Sequence, residues 1–353
     1  MRRVRPFTVP APLVLDRVAR AGALAFALVA AVWIALGGDG APAAAKDEAP
    51  VLTFERSIAL PGVEGRIDHL ALDADGRRLF VAALGNGSVE VVELGAGTVV
   101  RRIEGLHEPQ GVAVLPKTGR VAVACGGDGT LRSYDGATYE PSPALELGDD
   151  ADNVRVEPGT GRLFVGYGSG GIAIVEAGKV TARIPLPGHP EAFALETKGS
   201  RLFVNVPPSN EVTVVDRATG KVTAHWAVVA AKANYPMALD EDRHRLFLGC
   251  RAPARLLVLD TQSGKTVSSV EIVGDVDDVF LDASARRLYV SGGGGEIDVI
   301  ADDGSDGYRV VERVKTAPGA RTSLFAAGER RLYLAVPHRG AQRAELRVYA
   351  VAP

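Results

Sequence analysis

Seven arginines, each heading the same short alternating strand, predict an all-β fold built as a single seven-bladed β-propeller. The motif reads Arg78-Leu-Phe-Val, Arg120-Val-Ala-Val, Arg162-Leu-Phe-Val, Arg201-Leu-Phe-Val, Arg245-Leu-Phe-Leu, Arg287-Leu-Tyr-Val and Arg331-Leu-Tyr-Leu, at intervals of 42, 42, 39, 44, 42 and 44 residues. Two further observations agree. Each unit divides into short period-two strands bounded by Gly, Asp and Asn, the residues that tight turns need. No segment after residue 50 keeps a helical period. Four short strands in 40–45 residues make the unit of a propeller blade.

The order within a unit is constant. In the first, HLALD (69–73) passes through the polar turn DADGRR (73–78) into LFVAAL (79–84), then SVEVVEL (88–94) and TVVRRIEGL (98–106). The last unit supplies TSLFAA (322–327), LYLAV (332–336) and ELRVYAV (345–351), and lacks a fourth strand. A spare strand stands at the front, VLTFERSIAL (51–60). Pairing it with the last unit removes two exposed sheet edges. Length alone, 353 residues, favours two domains; the repeat keeps residues 51–353 together as one propeller.

Residues 1–45 stand apart from the repeat. Arg2, Arg3, Arg5, Arg17 and Arg20 precede the uncharged run AGALAFALVAAVWIALGG (21–38), and small residues follow at Ala41–Ala45. Positive region, apolar run and A-x-A-like options match a signal peptide, with an uncleaved membrane anchor as the alternative. Either way the remainder is expected in the periplasm or secreted. Membrane contact is expected only through that segment. Without the leader's five Arg and two Asp, 35 basic and 41 acidic residues remain, a net of −6.

Composition excludes several classes. With 46% hydrophobic and 24% charged residues, disorder is not the main state. A net charge of −3 argues against a nucleic-acid partner. Two cysteines and no C-x-x-C pair exclude a disulfide framework, a structural zinc knuckle and c-type haem. Cys125 and Cys250 occupy equivalent positions three blades apart, on the order of 20 Å, whereas a disulfide needs Cα atoms within about 7 Å. Two free, packed thiols are expected.

The units GLHEPQGVAVLPKTGRVAVACGGDGTLRSYD (105–135) and NYPMALDEDRHRLFLGCRAPARLLVLDTQSGKTV (234–267) carry a wider resemblance. Gly-x-x-Pro, an apolar strand, a polar turn, Leu-Phe-Val-like residues, a strand ending in Asp and then Ser/Thr-Gly-Lys resemble YVTN-type repeats of the bacterial YncE-like propellers. The resemblance covers about residues 51–353. It implies the fold and leaves function open, since propellers serve lactonases, dehydrogenase subunits and binding proteins alike.

The register maps a site. Ten residues before each repeat arginine stand Asp68, Gln110, Asp152, Glu191, Tyr235, Asp277 and Arg321. Two places on stand Leu70, Val112, Val154, Phe193, Met237, Val279 and Ser323. The switch from polar to mostly apolar marks where each innermost strand leaves the channel mouth. Asp149, Asp150, Asn153, Asp275 and Asp278 add to this rim, and His69, His107 and His189 lie close in register. Arg66, Arg251, His338 and Arg339 supply positive charge, while Asn86, Asp128, Asn205 and Asn234 add neutral or acidic acceptors. Tyr235 and Tyr167 are placed to stack on a ligand. Converging carboxylates repel unless a cation or a raised pKa relieves them, so the rim reads either as a polar-ligand or divalent-metal site or as a solvated edge. The ligand-binding set is Asp68, His69, Gln110, Asp152, Asn153, Glu191, Tyr235, Asp277, Asp278 and Arg321, with no cofactor otherwise implied.

Other motifs fall away. Asp149–Asn153 lacks the Gly and Glu of an EF-hand loop. Gly292–Gly295 joins two strands, so no helix N-terminus cradles a phosphate. Gly166-Tyr167-Gly168-Ser169-Gly170 misplaces the serine of a hydrolase elbow. Trp226 alone represents tryptophan after the leader and reads as packing, which disfavours a quinone-dehydrogenase role. The favoured function is binding or scaffolding of a small polar ligand or partner protein at the mouth, without catalysis. The alternative is a metal-assisted hydrolase of lactone type, with one of the three histidines as proton carrier.

Overall fold

The computed structural model describes residues 49–168 and 170–353; the leader assigned to 1–45 lies outside them. Seven four-stranded antiparallel sheets follow one another along the chain, and helix among the described residues is limited to three 3-10 turns. The first strands of the blades are Leu70–Leu72, Pro109–Val114, Val154–Val156, Phe193–Leu195, Lys232–Asp240, Val276–Asp282 and Thr322–Ala326. First strands of neighbouring blades touch at six of the seven junctions, Thr322–Ala326 returns to Leu70–Leu72, and blades 3 and 4 meet where Phe164 packs with Phe193. These strands are therefore innermost and surround the channel. Leu52–Ala59 pairs antiparallel with Glu345–Val351, from Leu52 opposite Val351 to Ala59 opposite Glu345, and completes the seventh sheet.

The core is seven cores, one between each pair of neighbours. The repeat explains why. Successive residues of a strand face opposite sides of the sheet, so the residue after each arginine (Leu in six blades, Val121 in blade 2) enters one interface and the next residue, usually aromatic, enters the other. Leu163 packs with blade 2 and Phe164 with blade 4; Leu246 packs with blade 4 and Phe247 with blade 6. Phe80, Phe164, Phe203, Phe247, Tyr289 and Tyr333 are among the largest fully buried side chains. In blade 2 the aromatic is replaced by Ala122, and the outer strand of that blade is only Leu145–Glu146. Cys125 and Cys250 are buried and unpaired, and burial pushes their thiols up to about 11 and 12, which leaves them unreactive.

The repeat arginines sit at the end of the second strand away from the mouth, where several reach the next blade. Arg78 Nη1 donates to the Tyr139 hydroxyl at 2.9 Å, and Arg287 Nη1 to the Ala352 carbonyl at 2.9 Å. Arg201 bonds the Thr261 carbonyl. Arg245 grips Asp306 with two bonds, 2.6 Å and 2.8 Å. Such bidentate pairs are strong and geometrically specific. Arg245→Met keeps the stem and removes both bonds, so a stability loss of about 1–2 kcal/mol and a Tm lowered by roughly 2–4 °C are expected by scanning fluorimetry. Arg77→Met, at a fully surface pair with Asp75, leaves Tm unchanged; equal stability of both variants would refute the inter-blade role.

Candidate functional site

The link into each blade is short and bends sharply before the innermost strand begins. Two residues before the mouth position the backbone takes the left-handed region at Glu108, Asp150, Ala233 and Asp275, with φ of 50°, 41°, 57° and 53°. Non-glycine residues hold that conformation at a cost of order 1 kcal/mol or more, and after Asp150 the pairing of Asp152 fixes it. Asp68 N donates to the Ala82 carbonyl at 2.7 Å, Asp152 N to Gly166 at 2.9 Å and Glu191 N to Asn205 at 2.9 Å. Asp68, Asp152 and Glu191 thus stand on backbone anchored to the second strand of their own blade.

All seven mouth positions, Asp68, Gln110, Asp152, Glu191, Tyr235, Asp277 and Arg321, line one cavity of about 730 Å³, together with the next residues His69, Asn153 and Asp278. Arg66, Asp150, His189 and Arg251 border it as well. Further down the channel the wall turns apolar at Met237, Phe280, Leu281 and Leu324. A smaller cavity of about 270 Å³ adjoins it at Arg66 and Arg321 and adds His338 and Arg339. The positions two places along, Leu70, Val112, Val154, Phe193, Met237 and Val279, are buried.

The charges sort into three groups. Around blade 6, Arg321 Nε lies 3.0 Å from Asp277, Arg251 also pairs with Asp277, and the Arg251 guanidinium stacks 3.8 Å from the Tyr235 ring centre. Burial, and then the charge of Asp68, raise the Asp277 carboxyl. Burial likewise pushes Asp278 up to about 7, against the pull of His69. At blade 1, Asp68 lies 2.6 Å from Arg66 and 2.8 Å from His69 Nδ1. Burial opposes charge on both partners of that pair, but their contact prevails: Asp68 is lowered and His69 is raised to about 9. Between blades 3 and 4, burial and the neighbouring Asp152 push Glu191 up to about 8. Burial works against a proton on His189, yet Asp152, the Gly168 carbonyl and Asp150 hold it up to about 9.

Several rim residues named from the sequence do other work. His107 is exposed and does not line the cavity. Tyr167 faces the blade 2–blade 3 interface and stacks 5.0 Å from Arg183; a Cβ at Gly171 would lie 2.6 Å from its ring, so glycine there makes room for it. Asn205 and Asn234 are fully buried struts. Asn205 Nδ2 donates to the Tyr235 and Pro236 carbonyls at 3.0 and 3.2 Å, and Asn234 Nδ2 to Asn205 Oδ1 at 2.8 Å. They hold the segment that carries Tyr235. Asp128 bonds the Thr130 hydroxyl in its own turn at 2.7 Å. Trp226 packs against Phe203 at 5.5 Å.

One charged cavity residue has no place in the sequence map. Arg155 lies three residues beyond Asp152, about 10 Å down the strand, with its guanidinium 5.6 Å from the Phe193 ring centre. Arg66, Arg251 and Arg321 each have a carboxylate partner, whereas Arg155 has no ion pair among the described residues. Burial pulls its proton affinity down. The signal was present in the repeat: the equivalent residues are Ala71, Ala113, Ala194, Ala238, Phe280 and Leu324, so a charge there is unique among the seven copies.

The fold aligns over 78% of this chain and 95% of the other with a chain of Kuenenia stuttgartiensis hydrazine synthase, at TM-score 0.68 and 16% identity. It aligns over 100% of this chain and 99% of the other with a chain from a mitotic checkpoint complex, at TM-score 0.73 and 15% identity. Likeness at such identities shows the propeller fold alone. No family model and no curated protein sequence matches the chain.

The site sets a pH dependence. Folded His69 keeps its proton to about pH 9 against an ordinary value of 6.5, so its contribution is fully present below pH 6.5 and is lost as pH rises to 9. Folded Asp278 stays protonated to about 7 against an ordinary 3.8, so its contribution falls across that lower window. Thermal unfolding from pH 4 to 9 is expected to show Tm falling in both windows. His69→Gln flattens the upper fall and Asp278→Asn the lower; an unchanged slope in either variant contradicts the corresponding assignment.

Proposed function

We propose that this protein is an exported binding propeller of the YVTN (YncE-like) type, with residues 1–45 as leader or anchor and 51–353 as the propeller. It captures a small, polar, anion-bearing molecule at the channel mouth. Arg155 carries this reading. A guanidinium in a low-dielectric channel with no carboxylate in contact, only Asp278 and Asp152 at longer range, is costly, and a planar carboxylate or phosphate is its natural bidentate partner. Around it the cavity offers Asp278, whose carboxyl is raised to about 7, with Gln110 and Tyr235 as hydrogen-bonding groups, and Met237, Phe280 and Leu281 as an apolar wall. The volume lies within the usual range for small-molecule sites, which favours a small ligand over a protein surface at this mouth.

The experiment is a thermal-shift screen of the purified protein with amino acids, short mono- and dicarboxylates and small phosphate esters. A ligand at a hundredfold excess over Kd adds about 2.7 kcal/mol, a rise in Tm of roughly 5 °C. Arg155→Leu is expected to abolish that rise. A variant that binds as wild type does, or a screen in which no anion binds, overturns the reading. Opening of simple lactones above background in the same preparation supports the hydrolase instead.

A further inference from the structure

We infer that Asp152, His189 and Glu191 form a binding site for one divalent first-row metal ion, with Zn²⁺ or Mn²⁺ as its occupant, on the blade 3–blade 4 side of the channel mouth. One ligand atom from each lies within 4.8 Å of the other two. An ion held at about 2.0–2.2 Å from nitrogen and oxygen donors fits among them after small side-chain rotations.

Two independent observations point to a cation there. First, Asp152 Oδ1 and Asn153 Oδ1 are buried and accept no hydrogen bond. The Asp152 side chain is only 9% exposed and Asn153 only 2%, and both border the cavity. Buried oxygens of this kind almost always have a partner, and a metal ion among Asp152, His189 and Glu191 supplies one to Asp152 without requiring a donor. Second, His189 Nδ1 stands 2.7 Å from the Gly168 carbonyl. That bond uses the Nδ1 proton and turns Nε2 toward the carboxylates as the nitrogen that gives up its proton when an ion binds, the arrangement usual for a ligating histidine. Nε2 is 3.8 Å from Asp152 Oδ2, too far for a hydrogen bond and close enough for two ligands of one ion. The anchored backbones of Asp152 and Glu191 hold two of the ligands in place before the ion arrives.

The donor set selects the metal. An imidazole with two carboxylates suits zinc and manganese, whereas calcium takes six to eight oxygens and no nitrogen. The remaining coordination positions face the cavity. The site stands apart from the anion reading, since its ligands do not include Arg155 and it is assayed with metal alone.

The test uses untagged full-length protein stripped with EDTA and dialysed. Calorimetric titration with Zn²⁺, Mn²⁺ and Ca²⁺ is expected to give one site for zinc or manganese and none of comparable affinity for calcium. Asp152→Asn and His189→Gln, checked for native circular dichroism, are each expected to weaken binding at least tenfold. His225→Gln, at the exposed His225–Glu211 pair on the outer strand of blade 4, leaves it unchanged. Cobalt substitution gives a second reading: visible ligand-field bands that disappear in His189→Gln. Absence of a stoichiometric site, or zinc affinity that survives in the Asp152→Asn/His189→Gln double variant, overturns the proposal.

Discussion

Each second strand of this ring has to satisfy two neighbours at once. The residue after its arginine fills one interface and the following residue the other, so no blade owns a core of its own, and burial is complete only when the blades meet around the whole circle. Stability in such an array is carried by nearest-neighbour interfaces, and everything else follows from that arrangement. The repeat arginines reinforce the interfaces from one end of the strands. The links at the other end send residues such as Ile67, Ala151 and Ala320 into the apolar clusters and present the polar side chains beside them to the channel.

That division explains why the mouth tolerates chemistry that a core would reject. Carboxylates, guanidiniums and imidazoles gather there, with Asp68, Asp152 and Glu191 on backbone already fixed by pairing with the second strands. Their charges are settled locally, by Asp68 with Arg66 and His69 and by Asp277 with Arg251 and Arg321. What the local pairs leave over is instructive: one guanidinium on the channel wall, and two buried oxygens beside an oriented imidazole.

Much of this was legible in the sequence because period and register are written in the same residues. Counting ten places back from Arg78 or Arg287 finds Asp68 or Asp277, since every blade spends the same number of residues on its inner strand and turn. Register fails where direction matters. Asn205 and Asn234 have the composition of rim residues, yet they point inward and brace the Tyr235 segment. Tyr167 follows Gly166 in an alternating strand and so faces the neighbouring blade and away from the channel. Arg155 sits in a three-residue strand where no periodicity is visible, and only the seven-fold comparison of equivalent positions isolates it.

The two ends of the strands divide their labour less strictly than their chemistry suggests. Far from the mouth, repeat arginines tie one blade to the next, Arg78 to Tyr139 and Arg287 to Ala352. At the mouth, Asp277 of blade 6 pairs with Arg251 of blade 5 and with Arg321 at the entry to blade 7. The carboxylate that shapes the cavity therefore also fastens three neighbouring blades, so the protein's hold on a ligand and the closure of its ring share a residue.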